Sequence, residues 1–301
     1  MSDYHLHLHP HAGDTHHPAP PPGEYPPGWI ERYVETAARR GVNELGFTEH
    51  LYRCREAAPI LGRFWEGDVH DDLARHTEMM FTADLSLSLD AYVDAITAAQ
   101  GRGLPVKLGL EVDFFPTTIE AVMELLAPYP FDFLIGSVHW VDAWSIDSST
   151  VTYEFERRGV AQAWEDYFLL VEDLARRGVV DVLAHVDVCK KFGYRPEHPP
   201  LELYQRVVEA AAAGGTGVEV SSQGLRNPVG EVYPSPGFLA MFHQAGVPIT
   251  LASDAHHPQD AAYAHQVVVA AAQAAGYRSH LRFIDRKAYQ VPLEPAIGES
   301  A

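Results

Sequence analysis

The chain has 301 residues, of which 47% are hydrophobic and 21% charged, which suits an ordinary globular protein with one large core or two small ones. Its formal charge of −19, from 41 acids against 22 bases, repels polyanions and argues against nucleic-acid binding, while a few local cations still suffice for a small phosphorylated substrate. No apolar run is long enough for a membrane helix, the first residues lack the pattern of a signal peptide, and Cys54 and Cys189 have no metal-like spacing, so the expectation is a cytoplasmic protein without membrane contact.

Taken in chain order, the sequence opens with a strand at 3–8 inside a histidine-rich segment. Six of the 17 histidines (His5, His7, His9, His11, His16 and His17) lie in the first seventeen residues. A proline-rich loop over 18–27 follows. From there, apolar periodicity predicts helices at 30–40, 89–102, 119–126, 160–177, 201–213, 237–245 and 261–275. Between them lie β-rich runs at 45–48, 106–112, 133–138, 180–184, 217–220 and 249–252, with a weaker one at 281–284. Arg39-Arg40-Gly41 and Arg176-Arg177-Gly178 read as helix ends, with cations complementing the dipole and a glycine to cap. Seven or eight such units predict an α/β fold that closes into a barrel, one domain over residues 1–301. An open doubly wound sheet is the alternative, but the glycine-rich phosphate loop it carries after its first strand is missing. Residues 51–88 and 141–159 read as long loops beside the active site.

Nearly every predicted strand ends in a residue able to bind a metal. These are His5 and His7, Glu49-His50, Glu111, His139, His185, and Asp254 with His256. The C-terminal strand ends of a barrel converge on one site, and residues two apart on a strand share a face. Each residue alone would suit an ordinary structural role; bland causes would scatter them rather than place them at one end of successive strands. Imidazoles and carboxylates without thiolate suit zinc, manganese or iron(II). One ion takes three or four protein ligands, so eight or nine imply several ions with bridging carboxylates.

Asp3-Tyr4-His5-Leu6-His7, Glu49-His50, Glu111, Gly136-Ser137-Val138-His139, Ala184-His185-Val186-Asp187 and Ser253-Asp254-Ala255-His256 resemble the motifs of the PHP (polymerase and histidinol phosphatase) superfamily. The segment 220–234, with Gly224-Leu225-Arg226-Asn227-Pro228, resembles its histidinol-phosphatase branch. The resemblance implies a distorted, TIM-like (β/α)7 barrel holding up to three divalent ions, zinc first, with manganese or iron as alternatives. His5, His7, Glu111 and Asp254 would hold one ion. Glu111 would bridge to a second, completed by His139 and His185, and His50 and His256 would hold the third. The family's further histidine for that third ion falls on Gly13 here, so His11, His16 or His17 would stand in, with His16 placed first among them.

Around this set, Asp3 is expected to orient an imidazole, Asp187 to do the same or to be an ordinary loop acid, and Glu49 to be structural or to touch substrate. His9 and His257, neighbours of ligands on the other face, are expected to do neither, and His70, His76, His198, His243, His265 and His280 to be solvated or capping. Arg226, after the sixth strand, and Lys190 and Lys191, after the fifth, are the candidate phosphate contacts, the arginine as a bidentate fork and the lysines as point charges. Asp254 or His256 is a candidate to protonate the leaving group. The function implied is hydrolysis of L-histidinol phosphate to L-histidinol and phosphate in histidine biosynthesis. The alternatives are a related phosphoesterase acting on another small phosphate ester or nucleotide, and a non-catalytic metal-binding barrel.

Overall fold

The structure is a computed structural model in which residues 1–12, 17–66 and 70–293 are described. The chain runs β1 (Ser2–Leu6), α1 (Trp29–Arg39), β2 (Glu44–Phe47), α2 (Ala58–Leu61), α3 (Asp71–Asp84), α4 (Leu89–Gly101), β3 (Val106–Leu108), β4 (Glu111–Asp113), α5 (Ile119–Leu126) and β5 (Ile135–Ser137). It continues through β6 (Trp140–Val141), β7 (Trp144–Ser145), α6 (Glu154–Arg158), α7 (Val160–Arg177), β8 (Val182–Leu183), α8 (Leu201–Gly214), β9 (Gly217–Ser221), α9 (Pro236–Gln244), β10 (Ile249–Ala252), α10 (His265–Ala275), β11 (Ser279–Ile284) and β12 (Lys287–Pro292).

Two parallel sheets, β1-β2-β3 and β4-β5-β8-β9-β10, join edge to edge into the distorted barrel. The first junction lies in the run predicted as one strand over 106–112. Its first half pairs with β2 and its second with β5. The Gly109 N–H reaches Phe47 O at 2.8 Å and the Glu111 N–H reaches Glu49 O at 3.0 Å across the break. Gly109 is required there, since a Cβ would lie 2.5 Å from the Phe133 ring. The second junction closes the barrel where His7 N–H donates to Ala255 O at 2.8 Å. Counting β3 and β4 as one interrupted strand, seven parallel strands among the described residues form the wall.

Tyr4, Phe133, Ile135, Val182, Ala184, Leu281 and Phe283 fill the interior as one apolar cluster. The β11–β12 hairpin supplies the last two. Its Arg286 side chain reaches Asp181 at 2.5 Å, just before β8, so the hairpin plugs the end where strands begin. The opposite end, where strands finish, is left for polar residues. A register shift in β1 between Asp3 and Leu6 resets the alternation, so that Tyr4 enters the plugged interior while both His5 and His7 enter the mouth.

The predicted loop over 51–88 contains α2 and α3. Leu73, Thr77, Phe81 and Asp84 are the buried face of α3, spaced four, four and three residues apart. Within 141–159 lie the β6–β7 hairpin and α6. Gly178 caps α7 in the left-handed region at φ 59°, as the Arg-Arg-Gly pattern predicts. Among the described residues, no helix is long and apolar enough to cross a membrane.

Candidate metal centre

Glu111, fully buried at the start of β4, is the hub of the mouth. Its Oε2 lies 2.7 Å from His50 Nδ1, 3.4 Å from His5 Nε2 and 3.7 Å from His7 Nε2. Its Oε1 lies 3.1 Å from His185 Nε2 and 3.4 Å from His139 Nε2. Asp254 Oδ1 is 3.3 Å from His7 Nε2, 3.6 Å from His5 Nε2 and 3.6 Å from His256 Nδ1. Residues from six strand ends thus meet at one point. Three of the overlapping donor groups are His5, His7 and Asp254; His5, Glu111 and His185; and His7, His50 and His256. His185 and Asp254 hold their positions with φ of 24° and 52°, a strained backbone for non-glycine residues that is characteristic of functional sites.

This donor set fits divalent ions. His5 Nε2 and His7 Nε2 face each other at 3.0 Å, while His50 Nε2, His256 Nε2 and Asp254 Oδ1 are buried without a hydrogen bond among the described residues. Lone-pair atoms left this way cost free energy unless a cation takes them up. The electrostatics agree. Burial favours a neutral His5, yet Glu219, Asp254 and Glu111 outweigh it and raise the pKa well above the ordinary histidine value. Burial would also raise Glu111 and Asp254, but the surrounding imidazoles hold both carboxyls well below their usual range. Both effects mean that the site stabilises positive charge at its centre. Burial pushes His50 down to about 3, and burial with the neighbouring His7 and His11 rings lowers His256 well below the ordinary value. Those two rings carry the free lone pair that a metal ligand needs.

Two carboxylates overlooked in the sequence hold candidate ligands in place. Glu219 Oε2 meets His5 Nδ1 at 2.8 Å, and Asp113 Oδ1 meets His139 Nδ1 at 2.7 Å. Both are acids inside fully buried strands, Gly217-Val218-Glu219-Val220 and Glu111-Val112-Asp113, next to the apolar runs Val218/Val220 and Leu108-Gly109-Leu110, and that was the available signal. Glu49 accepts the backbone N–H groups of Leu8 and His9 and faces His7 Nδ1 at 3.8 Å, so it shapes the end of β1.

Several expectations need correction. Among the described residues, Asp3 meets no imidazole. Displaced by the β1 shift, it accepts the Ser253 N–H and hydroxyl and the Ala262 N–H, pinning the loop that carries Asp254. Asp187 accepts the Ser235 N–H and pairs with Lys190 at 2.8 Å. Lys190 is fully buried, and its Nζ is also bonded to Glu231 at 2.6 Å and Val232 O at 2.9 Å, which leaves nothing for a phosphate. His280 is buried, 3.2 Å from Ser2 Oγ, and His265 is buried too, rather than solvated. His16 lies outside the described residues. Of the alternatives to it, His17 packs edge-on against His257, while the His11 ring lies within 5 Å of both His50 and His256.

A cavity of about 390 Å³ opens over the centre, lined by His11, His50, His139, His185, Asp254 and His256 together with Lys191 and Arg226. Lys191 Nζ is 3.1 Å from Asp147. Arg226 Nη2 donates to Ser253 O at 2.6 Å and Asp254 O at 3.0 Å, and so also braces the strained Asp254. An adjoining cavity of about 290 Å³ runs between Tyr52, Phe81 and Trp140, with Asp84 and Asp147 on its wall.

The model of the PHP domain matches residues 28–223. The protein named "Probable histidinol-phosphatase" of Deinococcus radiodurans is 30% identical over 236 residues, covering 78% of this chain and 83% of its own. The histidinol-phosphatase of Bacillus subtilis is 24% identical, covering 79% and 90%. Among solved structures, the histidinol phosphate phosphatase of Lactococcus lactis subsp. lactis, complexed with zinc, L-histidinol and phosphate, shares the fold with a TM-score of 0.69 at 21% identity, over 96% of this chain and 98% of that one. With its metal-site clusters at the strand ends and these relatives, the chain belongs to the PHP domain family.

Proposed function

We propose that this chain is a metal-dependent phosphomonoesterase that hydrolyses L-histidinol phosphate to L-histidinol and phosphate. The observation that carries the reading is the Glu111 hub, with both carboxylate oxygens among imidazoles, under a cavity that also presents Lys191 and Arg226. The names of the relatives support the same substrate. His5, His7, Glu111 and Asp254 would hold one divalent ion, Glu111, His139 and His185 a second, and His50 and His256 a third, with zinc first and manganese or iron as alternatives. Such ions neutralise phosphoryl oxygens and make water a nucleophile near neutral pH.

The protein's own groups divide the remaining work. Glu219 and Asp113 fix the His5 and His139 rings so that the opposite nitrogens face the centre. Lys191 and Arg226 hold the phosphate, Lys191 as a point charge and Arg226 through the donors that its Nη2 bonds to Ser253 O and Asp254 O leave over. Asp254 and His256 are both kept deprotonated by their surroundings, which suits ligands and weighs against either as the proton donor to the leaving alkoxide. The adjoining cavity is walled by Tyr52, Phe81 and Trp140, while its acids are already partnered, Asp147 by Lys191 and Asp84 by Tyr52 and Ala12. That aromatic wall suits a small organic group carrying an imidazole. A phosphate-release panel of L-histidinol phosphate, nucleotides and sugar phosphates tests the substrate. The expected result is a kcat/KM for histidinol phosphate at least about tenfold above the rest, a margin of roughly 1.4 kcal/mol. Equal or better turnover of a nucleotide or sugar phosphate removes this assignment.

A further inference from the structure

We infer that His11 completes the ion site of His50 and His256, and that Asp84, from the helical insertion, is its positioning residue. The inference rests on reading the strand-end cluster as a metal centre. His7, His50 and His256 already bring three ring nitrogens within 4.8 Å of one another. The Nε2 atoms of His50 and His256 are both buried without a hydrogen bond among the described residues, so they have lone pairs to give. The His11 ring stands over this pair, its centroid 4.9 Å from that of His50 and 4.8 Å from that of His256.

The Nδ1 side of His11 is gripped from behind. Asp84 Oδ2 lies 3.4 Å from His11 Nδ1, and the Tyr52 hydroxyl lies 3.2 Å from the same nitrogen and donates to Asp84 at 3.0 Å. The other Asp84 oxygen accepts the Ala12 N–H at 2.6 Å, which fixes the backbone next to the histidine. A carboxylate on Nδ1 sets the tautomer, leaves the lone pair on Nε2 and raises the basicity of that nitrogen. Asp84 is buried although it belongs to the exposed end of α3, a position that costs free energy without such partners. His11 itself is partly open to solvent, so its replacement leaves the core untouched. The insertion over 51–88 thereby acquires a role at the metal centre: α3 delivers the acid, and the turn after His50 delivers Tyr52.

The test is zinc stoichiometry and affinity, with no substrate present. Wild type, His11→Ala, Asp84→Asn and His16→Ala are stripped with chelator and titrated with zinc against a chromophoric competitor, with elemental analysis after desalting and circular dichroism as the folding check. Wild type and His16→Ala should hold three equivalents and His11→Ala two. Asp84→Asn should keep three, with the weakest bound about 10–100-fold less tightly. A third equivalent retained at wild-type affinity in His11→Ala overturns the inference. So does its loss in His16→Ala alone, or a wild type that binds only two. A protein that binds three ions but fails to act on histidinol phosphate refutes the substrate and leaves the His11 assignment standing.

Discussion

Glu219 Oε2 lies 2.8 Å from His5 Nδ1, while its Oε1 accepts the backbone N–H of His185 at 2.8 Å. One carboxylate on β9 thus holds candidate ligands from β1 and β8, His5 beside Glu111 Oε2 and His185 beside its Oε1. Glu219→Gln retains the shape but removes the charge that keeps His5 oriented. Chelator competition should show metal affinity about 10–100-fold lower, and excess metal should recover much of the lost turnover. Unchanged affinity would reduce Glu219 to a packing residue.

Asp254 Oδ1 lies 3.3 Å from His7 Nε2 and 3.6 Å from His5 Nε2. Asp254→Asn should lose at least about a hundredfold in kcat, because one metal-bridged charge is worth several kcal/mol in such sites. The fold should persist, since the residue sits at the mouth, outside the apolar interior of Tyr4, Phe133 and Phe283. Near-normal turnover in the folded variant removes Asp254 from the site.

Arg226 lines the cavity and braces the backbone of Asp254. A hydrogen bond to a charged group contributes roughly 1.5–3 kcal/mol, so Arg226→Ala should lower kcat/KM by about ten- to 150-fold. Lys at this position should recover only part, because one ammonium cannot both brace the Ser253 and Asp254 carbonyls and meet the phosphate. Metal content should stay at the wild-type level; ions lost from Arg226→Ala would make bracing Asp254, rather than binding phosphate, its role.

Lys190 answers a different experiment. It is enclosed by Asp187 and Glu231, and removing one partner of a buried ion pair typically costs about 3–5 kcal/mol. Lys190→Met should therefore lower the midpoint of chemical denaturation while the KM of the folded enzyme stays within twofold. A raised KM at unchanged stability would return Lys190 to the phosphate site.

The barrel and the gathering of metal-capable side chains at its mouth were legible because both follow from short-range rules. Parallel strands alternate with helices, and a side chain able to bind a metal stands two or three residues beyond most strands, as at His139, His185 and Asp254. What escaped depends on register or on distant partners. Asp3 and His5 share a face in a regular strand, but the shift in β1 separates them. Lys190 and Lys191 are adjacent on a tight turn, so one is buried against Glu231 while the other faces the mouth, and composition does not distinguish them. The apolar face of α3 was hidden because two of its four buried positions are Thr77 and Asp84. Asp84 is polar for a reason visible only in three dimensions, its contacts with Tyr52 and His11.

The central claim is that ions gathered around Glu111 make this chain a phosphomonoesterase for L-histidinol phosphate. The most direct measurement is the rate of phosphate release from that compound by protein stripped of metal, before and after zinc, manganese or iron(II) is restored. The stripped protein should show no turnover above background, and activity should recover with more than one equivalent of metal per chain. Full activity in protein shown by elemental analysis to be metal-free, or no phosphate release from the fully reloaded protein, would contradict it.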